Sequence, residues 1–120
     1  MELNKYVAEV YQSIDHMDAS KFASFITPEG CFRYANNSAI EGNKAIETFV
    51  GGLFQSLKGI SHSNLESWQA GEAIFVNGTV SYLRHNDTKL AVPFSCTWKM
   101  LNGLIDEYLI FVDSSELFQQ

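Results

Sequence analysis

Beyond Gly59 the chain becomes four consecutive β-type runs, His62–Trp68, Ala73–Arg84, Lys89–Leu101 and Ile105–Val112, separated by the short polar breaks AGE, HND and NG. Breaks of this length suit tight hairpin connections, so the runs predict an antiparallel meander that the rest of the chain must cover. Ile74, Val76, Val80 and Tyr82 share one parity while Ala73, Phe75 and Leu83 share the other. A sheet solvated on one face alternates more cleanly. Both faces are therefore expected to be covered, one by helices and the other by a second subunit.

The segment before the meander has a different period. Leu3, Tyr6, Val7, Val10, Ile14 and Met17 recur at steps of three and four, the stripe of an amphipathic helix, with Glu2, Lys5, Glu9 and Gln12 turned away. Asp18 offers an N-cap to a short helix carrying Phe22, Phe25 and Ile26, and the turn TPEG, Thr27–Gly30, stops it. CFRY, Cys31–Tyr34, predicts a brief strand, and ANNSAIEG has loop chemistry. A third helix is expected from about Lys44, its apolar face formed by Ile46, Phe49, Val50, Leu53, Phe54 and Leu57. Gly51 and Gly52 inside it each cost about 1 kcal/mol relative to alanine and point to close packing or a kink. Three helices followed by a mostly antiparallel sheet define an α+β class, and a chain of 120 residues is expected to be a single domain, 1–120.

Composition narrows the partners. Eight basic residues among fourteen acidic ones give a net charge of −6, which disfavours phosphate backbones and anionic membranes, so no nucleic acid and no membrane partner is expected. The N-terminus lacks a secretory apolar core and no run approaches a membrane span, which makes the cytoplasm the expected location. Cys31 and Cys96 are the only cysteines and form no Cys-x-x-Cys pair; a single disulfide between them is left open. His16, His62 and His85 have no metal-ligand spacing, and the glycines fit no phosphate cradle. No metal or cofactor is expected.

The order helix, helix, short strand, helix, four long strands, carried by SIDHMDASKFASFITPEGCFRY, EGNKAIETFVGGL and GLIDEYLIFVDSSELF, resembles the nuclear transport factor 2-like superfamily. Within it the chain is similar to the SnoaL-like branch, which includes polyketide cyclases and is related to ketosteroid isomerase and limonene epoxide hydrolase. The resemblance implies a cystatin-like cone in which a strongly curved, mostly antiparallel sheet wraps around three N-terminal helices and encloses an apolar cavity. It also implies a homodimer formed through the outer face of the sheet.

Carried over residue by residue, the resemblance removes more machinery than it supplies. The general-base aspartate of the isomerases falls on Tyr34 or Ala35, their helix-1 tyrosine on Val10 with Tyr11 one residue out, and their protonated aspartate on Cys96. One residue on a helix is a rotation of about 100°. The catalytic aspartate of the cyclases and epoxide hydrolases falls on Ile110. On the isomerase-like register Thr79, Ser81 and Leu83 face inward from one strand, and Phe94, Cys96 and Trp98 from the next. Tyr108, Ile110 and Val112 join them, and together they make a mainly apolar pocket with a few hydroxyls. The bland alternative is that these side chains simply fill the cone.

Three polar residues are left as catalytic candidates. Strand parity puts Asp113 on the face opposite Ile110, and in DSSE it stands three residues before Glu116, a capping-box spacing; a bulge would reverse that parity and turn it inward. His62, at the start of a strand, has the imidazole that suits proton transfer near neutrality, although no orienting carboxylate stands nearby in sequence. Tyr34 completes the set. The expected function is a pocket for a hydrophobic small molecule, with isomerase, cyclase or hydratase chemistry by proton transfer. The alternative is a noncatalytic binding or dimeric assembly module that kept the cone and lost the acids.

Overall fold

The computed structural model describes residues 2–118. Its elements, in chain order, are helix α1 (Leu3–Asp15), helix α2 (Ala19–Ala23), strand β1 (Ile26–Tyr34), strand β2 (Ile40–Glu41), helix α3 (Asn43–Gln55), and strands β3 (Gly59–Ala70), β4 (Ala73–Leu83), β5 (Lys89–Leu101) and β6 (Leu104–Val112). The six strands form one sheet in the order β2-β1-β6-β5-β4-β3. All neighbours are antiparallel except β1 and β6, which run parallel, so the sheet is mixed. The α+β class is as the sequence predicts.

Local chemistry sets the helix starts. The Glu2 carboxylate accepts from the Asn4 and Lys5 amides and opens α1, and Asp18 accepts from the Lys21 amide at 3.0 Å and opens α2. Gly51 lies where an added Cβ would stand 3.8 Å from Ala19, so α2 and α3 meet there at ordinary contact distance.

Two expectations fail at β1. Ile26 belongs to this strand and not to the helix before it. TPEG is no turn between elements but a bulged part of the strand, since pairing with β6 jumps from Ile26↔Ile105 to Cys31↔Glu107. The chain folds back so tightly there that a Cβ on Gly30 would lie 2.5 Å from Ile26 Cγ2. A short strand also forms inside the expected loop, where Ile40 and Glu41 pair with Phe32 and Cys31. Turn residues raise the local odds of a turn, but here hydrogen bonds to β6 and β2 override them.

The core lies between the helices and the concave face of the sheet. Trp98, Tyr108, Ile74, Ile105, Val10 and Ile46 are fully buried in it. Its aromatic centre is continuous: Tyr11 stacks on Trp98 with centroids 5.8 Å apart, Trp98 meets Tyr108 at 5.4 Å, and Tyr108 meets Phe22 and Phe32. Both cysteines are free thiols. Among the described residues no helix is long and apolar enough to cross a membrane.

Candidate functional site

Inside the sheet's curve is a cavity of about 50 Å³ lined almost wholly by apolar and aromatic side chains. That is room for a few water molecules and well short of the several hundred Å³ of a drug-sized pocket. Tyr11, Phe94, Cys96, Tyr108, Ile110 and Val112 are all in its wall, as are Tyr34 and His62.

The sequence-based pocket is wrong at four positions, Thr79, Ser81, Leu83 and Trp98. Thr79 and Ser81 do not line the cavity; Val80 and Tyr82 do. The reason lies in the pairing: Phe94 stands opposite Gly78 and Cys96 opposite Val76, while Thr79 pairs with Pro93 and Ser81 with Ala91. Opposite residues of an antiparallel pair share a face. A register that turns Phe94 and Cys96 inward therefore turns Thr79 and Ser81 outward. Trp98 does face inward but is packed behind Tyr11 as core, away from the cavity surface.

Gly78 has a steric task in this wall. A Cβ there would lie 2.9 Å from both Leu65 Cδ2 and Phe94 Cε1, so the missing side chain admits the Phe94 ring. Opposite it, β3 carries a bulge between Ser63 and Glu66, with Asn64 in the left-handed region at φ 55°. The bulge leaves Asn64 exposed, although two residues on in a regular strand it would share the face of His62.

His62 is held from two directions. Its Nδ1 lies 2.6 Å from Asp15 Oδ1, and its backbone N–H donates to Asp15 Oδ2 at 3.2 Å. One carboxylate thus grips both the ring and the strand. The His62 ring also sits 4.7 Å from the Tyr11 centroid and edge-on to Phe94 at 5.3 Å, and its side chain is only 7 % exposed. With Asp15 accepting, the neutral ring carries its proton on Nδ1 and presents the lone pair of Nε2. Among the described residues Nε2 makes no hydrogen bond.

Asp15 is the residue that sequence reasoning missed, because its partner lies 47 positions away. A faint signal existed. An acid in the last turn of a helix stands at the negative end of the macrodipole, and α1 has no basic residue in that turn to offset it. An acid placed against its local preference calls for a tertiary partner.

Four further polar groups are set by burial. The Tyr11 hydroxyl donates to Cys96 Sγ at 3.3 Å. Burial first, then the neighbouring Tyr108 and Cys96, raises the Tyr11 phenol well above its ordinary value. Desolvation likewise pushes the Cys96 thiol up to about 12, so it stays protonated and unreactive as a nucleophile. Elsewhere on the wall the Tyr34 and Tyr82 hydroxyls share a 2.7 Å hydrogen bond, and burial raises both phenols.

Asp113 takes no part in the cavity. It is exposed beyond β6 and accepts from the Ser115 amide at 3.0 Å, and the Ser115 hydroxyl first, then this amide, hold its carboxyl below the usual range. What it closes is a short turn, with Leu117 N–H donating to Ser114 O, and among the described residues no helix follows. Among the described residues no group of three or more His, Cys, Asp and Glu side chains is placed to hold a metal ion.

Solved structures share this architecture. A candidate polyketide cyclase from Xanthomonas campestris pv. campestris superposes with a TM-score of 0.87 at 13% identity, covering 98% of this chain and 94% of the other. An NTF2-like protein of unknown function from Burkholderia pseudomallei K96243 gives 0.86 at 18% identity, covering 99% and 97%. A hypothetical protein with a ketosteroid isomerase-like fold from Catenulispora acidiphila DSM 44928, in complex with trimethylamine, gives 0.81 at 11% identity, covering 88% and 82%. At such identities the likeness establishes the fold alone. No protein of curated function matches the sequence. The sequence itself matches the SnoaL-like domain family over residues 7–108, most of the chain and every element from α1 to the Tyr108 wall of the cavity. By that match and by the cone its sheet makes around the helices, this chain belongs to the SnoaL-like family of the nuclear transport factor 2-like superfamily.

Proposed function

We propose that the protein binds a small hydrophobic molecule in the cone and moves a proton on it, with His62 as general base and Asp15 as the residue that orients it. The observation that carries this reading is the hydrogen bond of 2.6 Å between His62 and Asp15 at the wall of an apolar cavity. A base needs a free lone pair and its other nitrogen fixed; Asp15 fixes Nδ1, and Nε2 makes no hydrogen bond among the described residues. Isomerisation, cyclisation and hydration of a carbonyl compound share that step. Tyr34, tied to Tyr82, shapes the wall near the half-buried Leu53 and Ile110 and stays a hydrogen-bonding hydroxyl.

The test is hydrogen–deuterium exchange α to the carbonyl of small cyclic ketones and 1,3-diketones in D2O, followed by proton NMR. Wild type is expected to exceed buffer, with His62→Gln lowering the catalysed rate at least 100-fold and Asp15→Asn lowering it less. Ketones that bind without any catalysed exchange would remove the proton-transfer assignment.

The small cavity volume favours a second reading, a noncatalytic module that binds a ligand or assembles without chemistry. Thermal stabilisation by a ligand with no turnover supports that reading over the first. In either case we propose a homodimer through the outer sheet face, where Trp68, Phe75 and Phe111 are exposed at 49%, 38% and 59%. Exposed aromatic rings gathered on one sheet face mark a surface for association.

A further inference from the structure

The chain that follows β6 belongs to no helix or strand, yet it is tied across the open end of the cone. Val112 ends β6, and a few residues later Leu117 is bound by Arg84, the residue that follows β4. Since β5 lies between β6 and β4 in the sheet, the segment Asp113–Leu117 bridges two strand ends that are not neighbours. Arg84 Nε donates to Leu117 O at 2.6 Å and Nη2 to Glu116 O at 2.8 Å, while Nη1 donates to Thr88 Oγ1 at 3.1 Å. A guanidinium fork aimed at main-chain carbonyls fixes the path of a segment whatever its side chains are. The Leu117 side chain is 1% exposed and packs into the core, although Glu116 and Phe118 on either side are exposed. It lines an outer groove of about 550 Å³ between α3 and the segment, and Tyr34 and Leu53 stand both in that groove and in the wall of the inner cavity.

We propose that Leu117 is the specificity-determining residue for ligand size, a plug latched by Arg84 that withdraws when a ligand of two or more fused rings seats against Tyr34 and Leu53. The volumes carry the argument. The inner cavity of about 50 Å³ is far too small for such a ligand, whereas the cavity and the groove joined at Tyr34 and Leu53 reach the several hundred Å³ of an ordinary pocket. The latch is local enough to open without the sheet. Among the described residues the segment is held by the two Arg84 bonds, the Leu117-to-Ser114 turn and the Asp113 cap, with no strand ladder. The linings name the ligand's chemistry, since neither contains Lys, Arg, Asp or Glu, and a charged ligand would lose its water with no partner to meet it. Asn37, Thr48, Ser56 and Ser114 belong to the groove alone, so the ligand is an uncharged fused-ring compound, apolar at its inner end and hydroxylated at its outer end. Apparent affinity scales with the fraction of molecules whose plug is withdrawn. Loosening the latch therefore tightens binding of a large ligand and leaves one that fits the closed cavity unchanged. The inference rests on the cavity being the ligand site proposed above, and names what limits the size of its ligand.

The experiment titrates N-phenyl-1-naphthylamine, an uncharged fused-ring probe that fluoresces more strongly in apolar surroundings, into wild type, Arg84→Met and Leu117→Ala. Xenon serves as the probe small enough for the closed cavity. Arg84→Met keeps an unbranched apolar stem and removes every donor. It is expected to bind the naphthylamine about tenfold more tightly than wild type and to bind xenon equally. Deuterium exchange of the Leu117 amide, which donates to Ser114 O, is expected to speed about tenfold while the buried Val10 is unaffected. Leu117→Ala is expected to tighten the naphthylamine as well, with the Leu53 and Ile110 methyl resonances shifting on binding. A purely structural role for either residue predicts weaker binding, the opposite sign. Equal or weaker binding of the naphthylamine by either variant as folded protein would overturn the plug, and so would an equally protected Leu117 amide with and without Arg84. A matching gain for xenon would trace the effect to a reshaped cavity and overturn it too. Shifts confined to Trp68 and Phe75 would put the probe on the outer sheet face and remove both the plug and the ligand site. Catalysed exchange on small cyclic ketones, together with a naphthylamine affinity that Arg84→Met leaves unchanged, would keep the ligand site and remove the plug alone.

Discussion

The two faces of β4 and β5 carry similar numbers of chemically interesting residues and use them in opposite ways. Inward, Ile74, Val76, Val80, Tyr82, Phe94, Cys96, Trp98 and Met100 are all buried. Outward, Asn77, Thr79, Ser81, Ser95 and Thr97 are exposed or half-buried, with Phe75 and Pro93 among them. The hydroxyl-bearing strand residues that look like pocket polarity in the sequence thus lie on the outside. The polar groups of the cavity are instead the inward phenols and thiol of Tyr34, Tyr82, Cys96 and Tyr108, the Tyr11 hydroxyl from the helix that closes the cone, and His62 from the bulged edge strand, which Asp15 of α1 holds from outside the wall. In this fold the central strands turn phenols and a thiol inward, and the one imidazole of the wall comes from the sheet's edge.

The largest test of that contrast is deletion across one strand pair. Trp98→Ala is expected to cost 3–5 kcal/mol in urea unfolding, because it empties a site at the junction of Tyr6, Tyr11 and Tyr108. Ser81→Ala on the outer face is expected to stay within about 0.5 kcal/mol. Comparable losses would mean that the faces are not so divided.

Alkaline titration reads the inner face next. Cys96, Tyr11 and Tyr108 all have pKa values raised by burial, so their contribution to stability is full below their unfolded values and is lost as pH rises toward the folded ones. The thiol moves from 9.0 to about 12. Stability is therefore expected to start falling near pH 9 and to go on falling to about pH 12. Cys96→Ala should make the fall between pH 9 and 10.0 shallower, leaving there only the share of Cys31, whose thiol desolvation also raises. Identical profiles for the two proteins would remove the thiol from the account.

Gly78→Ala sharpens the comparison at one point, because the new methyl meets Leu65 and Phe94 on the inner side. It is expected to cost about 1–3 kcal/mol by overpacking and to move the His62 ring resonances in NMR. The smallest effect on folding belongs to Phe111→Glu. This outer-face change is expected to leave unfolding of the separated chain within about 0.5 kcal/mol of wild type while converting dimer to monomer in analytical ultracentrifugation. A wild-type monomer at every concentration would remove the outer-face partner.

Much of the fold was legible because local signals and tertiary structure agree. The stripe from Leu3 to Ile14, the cap at Asp18, and the hairpin breaks after Arg84 and at Asn102–Gly103 each act within a few residues, and β5 runs from Lys89 to Leu101 as its pattern predicts. β1 was less legible, since Thr27–Gly30 has the residues of a turn and the bonds of a strand. The site divides the same way. His62 could be singled out as an imidazole on a strand, whereas its carboxylate could not, since nothing local ties Asp15 to it.

By itself the sequence determined the period of each segment, and with it the α+β class, the capped helix starts and the amphipathic faces, because hydrophobic spacing and cap chemistry act over a few residues. Only the tertiary structure decided which face each strand residue takes and which distant polar groups meet. A bulge at Asn64, a jump in the β1–β6 pairing and the docking of α1 on β3 each shift side chains by a register that no short window contains. The docking of α1 places Asp15 on His62, the bulge leaves Asn64 outside, and the β4–β5 pairing keeps Thr79 and Ser81 on the outer face.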